Sequence, residues 1–362
     1  MSEILDRLQP LRAKIDHLDK EIIDLLNTRV ESVLEIGKIK SEKQLPYYHP
    51  EREKAILNKL KEYNGGKFPN HAIDTIFREI ISASRSLEKN LRVAFLGPKG
   101  SYSHLACLRQ FGSSVEVEPM ASISDVFKEV ENEKVDYGVV PVENSYGGVV
   151  AHTLDLFVDS PLKIYSERFL QISHCLMSQL ENIKDIKKIY SHAQSFAQCR
   201  LWLENQLPNV EKIEASSNSK AASLVEWDKY SAAIASEIAG ELYGLNILVK
   251  NIQDASENIT RFLVISKDTC EPSGEDKTSL ICSINDETGT LLKILAPFQK
   301  REINLTKIES RPTRKRAWDY LFFIDAEAHI TETPLKEAIE EVKKICLNVQ
   351  ILGSYPKGSV PD

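Results

Sequence analysis

An uninterrupted amphipathic repeat occupies the first forty residues of this 362-residue chain. Its apolar residues step by three or four positions, which is the spacing of one helical face. Because no proline occurs between Pro10 and Pro46, the repeat predicts a single helix of about 35 residues, or about 50 Å. A helix this long favours packing against a second chain. The stripe consists of Ile4, Leu8, Leu11, Ile15, Leu18, Ile22, Leu25, Val33, Ile36 and Ile39.

Basic side chains lie along this stripe. Arg29 and Lys40 are eleven residues apart and therefore share one helix face. Cations on an apolar face need anionic partners, unless they extend to solvent or pair with Glu35 or Glu53. Arg12 lies about 25 Å from Arg29 along a straight helix, a distance that no small ligand spans. A site that uses these three cations together must therefore combine two chains, which predicts an intertwined homodimer or a higher homo-oligomer.

The rest of the sequence changes character twice. Two shorter helices, predicted near 50–62 and 70–88, complete an all-α N-terminal domain of three helices over 1–90. Short apolar strands then alternate with helical patterns, which predicts an α/β domain with a parallel sheet over 91–267. After a polar linker, the order βαββα with a final strand predicts a small α+β domain of ferredoxin-like kind over 278–356.

Composition limits the class of protein. The chain is 42% apolar and 27% charged, as globular proteins are, and it has no apolar run long enough to cross a membrane. The N-terminus lacks a signal peptide, so a cytoplasmic location is expected. A net charge of −7 argues against a nucleic-acid partner, and the basic cluster at 311–316 is interpreted as a solvated loop. The six cysteines show no CxxC pair, so reduced thiols, no metal and no cofactor are expected.

Polar residues follow several predicted strands. Ser101 and Tyr102 come after the glycine turn GPKGS, which lacks the spacing of a phosphate-binding loop. Backbone N–H groups and hydroxyls at such positions can hold carboxylates. His192 stands open between capping a helix and serving a site. Other residues in this position are Glu143, Asn144, Ser145 and Gln194.

Thr260 opens the apolar run ITRFLVIS. From the residues alone it is either an ordinary strand residue or a catalytic hydroxyl. Arg261 beside it is a candidate for binding a substrate carboxylate, and it could equally pair with Glu257.

Motifs in all three segments resemble one family. The stretches LQPLRAKIDHLDKEIIDLLNTRVESVLEIGKIK and PYYHPERE resemble the all-helical chorismate mutase domain. FLGPKGSYSHLA, VPVENSYGG, SHAQSFAQC and NIQDASENITRF resemble prephenate dehydratase, whose fold is two-lobed and similar to periplasmic binding proteins. GTLLKILAPF and ESRP resemble an ACT regulatory domain. Together they resemble the bifunctional chorismate mutase–prephenate dehydratases.

The resemblance implies an enzyme of phenylalanine biosynthesis. Chorismate would be rearranged to prephenate, which would then lose CO2 and its ring hydroxyl to give phenylpyruvate. L-Phenylalanine would act as a feedback inhibitor at a dimer interface of the ACT domain. The residues implied for this regulatory site are Gly289, Thr290, Leu291, Leu292, Glu309, Ser310, Arg311 and Pro312.

For the mutase site, the resemblance implies a clamp on a dicarboxylate. The rearrangement is unimolecular, so orientation and charge stabilisation suffice. Arg29 and Arg12 of a second chain would hold the carboxylates, while Lys40 and Glu88 would act catalytically at the ether oxygen. An aspartate is common where this chain has His49, and a glutamine where it has Glu88. The full implied set is Arg12, Arg29, Lys40, His49, Arg52, Glu53, Ser84 and Glu88.

Glu88 carries a chemical requirement. An ionised carboxylate cannot donate a hydrogen bond to the ether oxygen, so Glu88 must be protonated to serve. Mutase activity is therefore expected to rise toward acid pH, and Glu88→Gln to change that profile.

For the dehydratase site, the resemblance implies that Thr260 is catalytic and polarises the leaving hydroxyl. Two alternatives remain: the same architecture acting on arogenate, or a non-catalytic sensor of an aromatic ligand. The set Arg12, Arg29, Lys40 and Thr260 favours the enzyme. The residues implied for binding prephenate are Ser101, Tyr102, Glu143, Asn144, Ser145, Gln194, Thr260, Arg261 and Phe262.

Overall fold

The computed structural model describes residues 2–43, 45–255, 257–284, 287–312 and 320–360. Most of the basic cluster, residues 313–316, lies outside these ranges. Among the described helices, none is long and apolar enough to cross a membrane.

Three helices form the N-terminal segment. The first is longer than predicted, at 41 residues, because it begins early and continues through Pro10, where it forgoes one backbone hydrogen bond. It packs against the third helix, but its apolar stripe is exposed in the single chain: Leu11 is 60% and Leu25 69% exposed. The helices are α1 (Ser2–Glu42), α2 (Pro50–Tyr63) and α3 (Asn70–Glu88).

The first lobe of the α/β segment is built on one mixed sheet. Its strands are β1 (Arg92–Leu96), β2 (Glu116–Met120), β3 (Tyr137–Asn144), β4 (Gly148–Val149), β5 (Lys163–Gln171) and β11 (Ile259–Ser266). The order is β2-β1-β3-β11-β5, with β4 paired to β3. The prediction of a parallel sheet is wrong here, because β11 returns from the second lobe and runs antiparallel to both neighbours. The helices of this lobe are α4 (Tyr102–Phe111), α5 (Ile123–Glu131) and α6 (Ala151–Asp159).

The second lobe lies between β5 and β11 in the sequence. Its sheet, in the order β10-β6-β9-β7-β8, is also mixed. The strands are β6 (Cys175–Ser178), β7 (Lys188–Ser191), β8 (Glu211–Glu214), β9 (Ser231–Ala235) and β10 (Asn246–Val249). The helices are α7 (Ala193–Gln198), α8 (Arg200–Gln206), α9 (Asn218–Val225) and α10 (Glu237–Tyr243). The predicted two-lobed α/β architecture is thus confirmed.

The C-terminal segment is an antiparallel four-stranded sheet in the order β13-β14-β12-β15. Its chain order βαββαβ matches the prediction. The elements are β12 (Asp276–Ile284), α11 (Thr290–Gln299), β13 (Leu305–Pro312), β14 (Tyr320–Ala326), α12 (Thr333–Lys343) and β15 (Asn348–Pro356). Strand β15 packs directly on β5 of the first lobe. The contact is so close that a Cβ at Gly353 would lie 2.1 Å from the Ile164 carbonyl oxygen.

Candidate active sites

A cavity of about 500 Å³ lies among the three N-terminal helices. Helix α1 directs Arg29 and Lys40 into it, and α3 contributes Ser84 and Glu88. The Nη1 atom of Arg29 donates a hydrogen bond to Ser84 Oγ at 2.7 Å. Burial lowers the pKa of Arg29, and the charge of Glu88 opposes this shift. The cavity is therefore cationic at one wall, as the sequence predicts.

Lys40 and Glu88 face each other across this cavity. Lys40 Nζ is 3.5 Å from Glu88 Oε2 and donates to the Tyr47 carbonyl at 3.2 Å. The same Glu88 oxygen is buried and has no hydrogen-bond partner among the described residues. Because the nearby ammonium favours the carboxylate form, protonation of Glu88 must accompany ligand binding if it is to donate a hydrogen bond.

Glu53, Arg52 and His49 also line the cavity, but two of them already have partners. Arg85 forms an ion pair with Glu53; burial raises the pKa of Glu53 and Arg85 counteracts it. Both ring nitrogens of His49 face acceptors, the Glu51 carboxylate at 3.0 Å and the Pro46 carbonyl at 2.8 Å. The expectation that His49 accepts a hydrogen bond from substrate is therefore wrong for this conformation.

Arg12 does not reach this cavity. It is exposed on α1, 17 residues before Arg29 in one continuous helix, which separates them by about 25 Å. The structure therefore does not bring Arg12 and Arg29 of the same chain together.

A second cavity, of about 550 Å³, lies between the two lobes of the α/β segment. Both Thr260 and Asn144 line it, because β11 and β3 pair with these two residues directly opposite each other. Asn144 Nδ2 donates to Thr260 Oγ1 at 2.9 Å and to Asn258 Oδ1 at 2.7 Å. Asn144 Oδ1 accepts from the backbone N–H groups of Tyr146 and Gly147.

These contacts fix the direction of the Thr260 hydroxyl. Backbone N–H groups can only donate, so the Asn144 atom that faces them is the oxygen, and the amide nitrogen must face Thr260. Oγ1 therefore accepts this bond and keeps its own hydrogen for a ligand. Thr260 is 8% exposed, open only toward the cleft. The arrangement suits polarisation of a leaving oxygen.

Further polar groups of the cleft come from strand ends and helix starts. The Tyr102 hydroxyl contacts the Ser173 carbonyl at 2.7 Å and His174 Nδ1 at 2.8 Å. Burial lowers the pKa of His174 and raises that of Tyr102, so both are neutral near pH 7. His192 combines the two roles that the sequence left open, since it caps α7 and also lines the cleft. Ser101, Gln194 and Phe262 line the cleft as predicted.

Three residues predicted to bind prephenate do not line this cleft. Arg261 is buried on the opposite side of β11, paired with Glu167 and with Asp325 of β14. Glu143 pairs with Lys307 of β13. These corrections have one cause: side chains alternate along a strand, so the neighbours of Thr260 and Asn144 point away from the ligand.

Ser145 is the third. Its hydroxyl donates to the Glu257 carbonyl at 2.9 Å and accepts from the Ile259 N–H at 3.0 Å. It therefore closes the loop after β3 rather than facing the cleft.

The described residues lining the cleft include no Lys, Arg, Asp or Glu. A carboxylate would instead meet neutral donors at the starts of α4 and α9. Ser101 caps α4 and Ser217 caps α9, and the N-terminus of a helix favours negative charge. No group of three or more potential metal ligands occurs within the described ranges.

The residues predicted to bind phenylalanine lie on the C-terminal sheet and on α11. Gly289 precedes the helix with a φ of 81°, a conformation that favours glycine. Leu292 is 73% exposed, and β13 is an edge strand. Arg311 is not free for a ligand here, because it pairs with Asp155 of α6 at 3.1 Å. The hydroxyl of Thr290 likewise bonds the Glu287 carbonyl at 2.9 Å.

The fold and the two cavities define a multidomain enzyme. One cavity presents fixed cations between helices, and the other presents neutral donors and an oriented hydroxyl between two lobes. A third, ferredoxin-like unit contacts the second site from behind.

Comparison with known proteins identifies the family. Residues 11–89 match chorismate mutase type II, residues 93–270 prephenate dehydratase and residues 278–345 the ACT domain. The chain is 48% identical to the bifunctional chorismate mutase/prephenate dehydratase of Aquifex aeolicus (strain VF5), over 98% of this chain and 99% of that protein. With the Escherichia coli (strain K12) protein of the same description it shares 33% identity, over 98% and 97%. The chain belongs to the family of bifunctional chorismate mutase/prephenate dehydratases, which confirms the resemblance.

Solved structures agree for the last two segments. Prephenate dehydratase from Arthrobacter aurescens, in complex with L-Phe, has a TM-score of 0.68 and 33% identity, covering 74% of this chain and 90% of that one. The prephenate dehydratase of Staphylococcus aureus subsp. aureus Mu50 has a TM-score of 0.65 and 30% identity, covering 73% and 100%.

Several site residues were missed from the sequence. Arg85, which holds Glu53, is four residues after Ile81, another residue that lines the helical cavity, and this spacing was a usable signal. Asn218 follows the stretch EASS after β8, the same strand-then-serine pattern that identified Ser101. For His174, at the start of a strand, the sequence offered no signal.

We expect Asn144→Asp to lower prephenate dehydratase activity by about 100-fold, the usual effect of losing one well-aligned donor. The carboxylate would accept the Thr260 hydrogen and turn it away from the ligand, while mutase activity would stay unchanged. Steady-state assays of both reactions on one preparation measure this. Asn182→Asp, which keeps a capping oxygen on an exposed turn, is the control. An Asn144→Asp enzyme with full dehydratase activity would rule out the proposed direction of the hydroxyl.

Proposed function

We propose that the helical cavity carries the mutase reaction and the inter-lobe cleft carries the dehydratase reaction. The observation that carries this assignment is the oriented Thr260 hydroxyl in the cleft, together with the cationic wall formed by Arg29 and Lys40 in the other cavity. The two cavities share no lining residue among those described.

In the mutase cavity the reaction needs a clamp and charge stabilisation. Arg29 binds one carboxylate of chorismate through its guanidinium, which Ser84 holds in place. Lys40 and a protonated Glu88 donate to the ether oxygen as its bond breaks, which lowers the barrier electrostatically. Arg52 lies at the rim, and Glu53 accepts from the substrate hydroxyl while Arg85 supports it.

The second carboxylate requires Arg12 of a second chain. Two features support this homodimer. Arg12 lies about 25 Å from its own cavity along a continuous helix. The apolar stripe of α1 is largely exposed in the single chain, with Ile15 56% and Ile22 53% exposed, and a stripe of this length needs a partner.

A complementation experiment tests the shared cavity. Arg12→Ala and Arg29→Ala homodimers should each lack mutase activity. A dimer of one variant with the other regains one intact cavity, so after unfolding and refolding an equal mixture should recover about a quarter of wild-type activity. Dehydratase activity measured in the same samples corrects for the yield of folded protein. No recovery, or an active Arg12→Ala homodimer, would contradict a cavity built from two chains.

In the inter-lobe cleft, prephenate loses CO2 and its ring hydroxyl, and the ring becomes aromatic. The hydroxyl leaves with the pair of electrons from its C–O bond and becomes water after gaining a proton. Thr260 donates a hydrogen bond to this oxygen and polarises the bond, since a threonine hydroxyl is too weak an acid to give up its proton at neutral pH. Ser101, Gln194 and the starts of α4 and α9 are suited to holding the carboxylates.

The cleft favours prephenate over arogenate. The ammonium of arogenate would require a carboxylate, and the described lining residues include no Asp or Glu. We further propose that L-phenylalanine inhibits the enzyme through the C-terminal domain. Support comes from the match to the ACT domain and from the relative of Arthrobacter aurescens in complex with L-Phe. Gly289, Leu292, Glu309, Ser310 and Pro312 remain the proposed contact residues.

Thr260→Ala tests the dehydratase assignment. We expect the dehydratase kcat to fall by about 10²–10⁴-fold, the range for losing a positioned proton-handling group, with mutase activity and thermal stability unchanged. Thr260→Ser keeps the hydroxyl and should retain substantial activity. Dehydratase turnover in Thr260→Ala close to that of the wild type would overturn the assignment.

A further inference from the structure

Two neighbouring residue pairs on β11 and β3 face opposite sides of the first-lobe sheet. Thr260 lies opposite Asn144, and Arg261 lies opposite Glu143. Because side chains alternate along a strand, the first pair faces the cleft and the second pair faces the ACT sheet. The groups that act on substrate and the groups that contact the ACT domain are therefore adjacent along both strands.

The second pair is matched by a pair of opposite charge on the ACT sheet. Arg261 Nη1 is 2.6 Å from Asp325 Oδ2, and Lys307 Nζ is 2.7 Å from Glu143 Oε2. Lys307 and Asp325 are themselves opposite each other on β13 and β14. These four residues, Glu143, Arg261, Asp325 and Lys307, form what we call the charge square, around which positive and negative charges alternate.

Burial makes this contact specific. The side chains of Arg261 and Asp325 are each 7% exposed, and that of Lys307 is 10% exposed. Burial alone would lower the pKa of Arg261, but Tyr355, Asp325 and Glu167 together raise it. A desolvated ion pair is weak evidence for stability, but breaking one by removing a single partner is strongly unfavourable.

Several other groups face Arg261. Glu167 of β5 binds both Arg261 and Lys277, while the Tyr355 hydroxyl accepts from Arg261 at 3.0 Å. On the ACT side, the Ser279 hydroxyl donates to Asp325. Arg261 is thus anchored to β5, β14 and β15 at once, and the backbone of β11 cannot shift at Arg261 without disturbing these bonds.

We propose that Arg261 and Glu143 are positioning residues for the dehydratase reaction, held through the charge square by Asp325 and Lys307 of the ACT sheet. In this account the ACT domain sets the geometry of Thr260 and Asn144 directly, through the two strands that carry them. The proposal rests on the assignment of Thr260 made above, and adds that dehydratase catalysis needs an intact contact with the ACT sheet even without an effector.

The expected sensitivity follows from the geometry. The hydroxyl of Thr260 is aimed by its bond to Asn144, so a relative shift of β11 and β3 misdirects it. A displacement of about 1 Å at a reacting group can cost about 100-fold in rate. The members of the charge square are absent from the described lining of the helical cavity, so mutase activity of the same polypeptide is an internal control.

The first test is Lys307→Met in the full-length enzyme, with both activities measured on one preparation. We expect the dehydratase kcat to fall by roughly 10-fold or more, with a smaller change in KM and no change in mutase activity. Lys307→Arg, which keeps the charge, should retain most of the dehydratase kcat. Gln350→Met is the matched control, because Gln350 bridges the same two domains by donating to the Phe157 carbonyl on α6, away from β3 and β11.

The second test exchanges the charges of one pair, Glu143→Lys with Lys307→Glu. An isolated ion pair would be restored by this exchange. In the charge square, the new lysine would lie beside Arg261 and the new glutamate beside Asp325, so we expect the dehydratase kcat to stay low. Recovery to the wild-type value would overturn the coupling of the four residues.

Three results separate the claims. A Lys307→Met enzyme with a wild-type dehydratase kcat, or one that loses both activities together, would overturn the positioning role. If Thr260→Ala abolishes dehydratase activity while Lys307→Met has no effect, the charge square is wrong and the site assignment stands. If Thr260→Ala retains activity, the site assignment itself is wrong.

Discussion

The placement of β11 between β3 and β5 is the constraint on which the dehydratase part of the molecule depends. This strand returns from the second lobe and completes the sheet of the first, so it links the two lobes that enclose the cleft. Its register brings Thr260 opposite Asn144, and the alternation of side chains then brings Arg261 opposite Glu143 on the other face. A slip of one residue would exchange these two sets of side chains and remove both the site and the contact with the ACT sheet.

The two cavities bind anionic substrates by different physical means. The helical cavity uses fixed cations, Arg29 and Lys40, which suits a reaction whose main requirement is to hold a dicarboxylate in one conformation. The inter-lobe cleft has neutral donors and helix starts among its described lining residues. A cleft without strong cations can release a product that has lost one of the two carboxylates of its precursor, because less charge holds it there.

Sequence reasoning predicted the elements well and the directions of individual side chains less well. Periodicity identified α1, α2 and α3, and the order of strands and helices identified the C-terminal fold, because these features depend on local patterns. The orientation of β11 could not be inferred, since strand direction depends on which distant strands it joins. Arg261 and Glu143 were assigned to the prephenate site for the same reason: a motif gives neighbours in sequence, while alternation along a strand sends neighbours to opposite faces. His49 failed differently, because its partners are the nearby Glu51 and the Pro46 carbonyl, contacts that spacing alone does not reveal.

Hydrogen exchange, followed by mass spectrometry with and without L-phenylalanine, tests the central claim most directly. If β3 and β11 connect the ACT sheet to the dehydratase site, the ligand should change amide protection in residues 137–144 and 259–266 as well as in the loops that include Gly289 and Glu309. Changes confined to the C-terminal segment, with identical exchange in β3 and β11, would contradict the account.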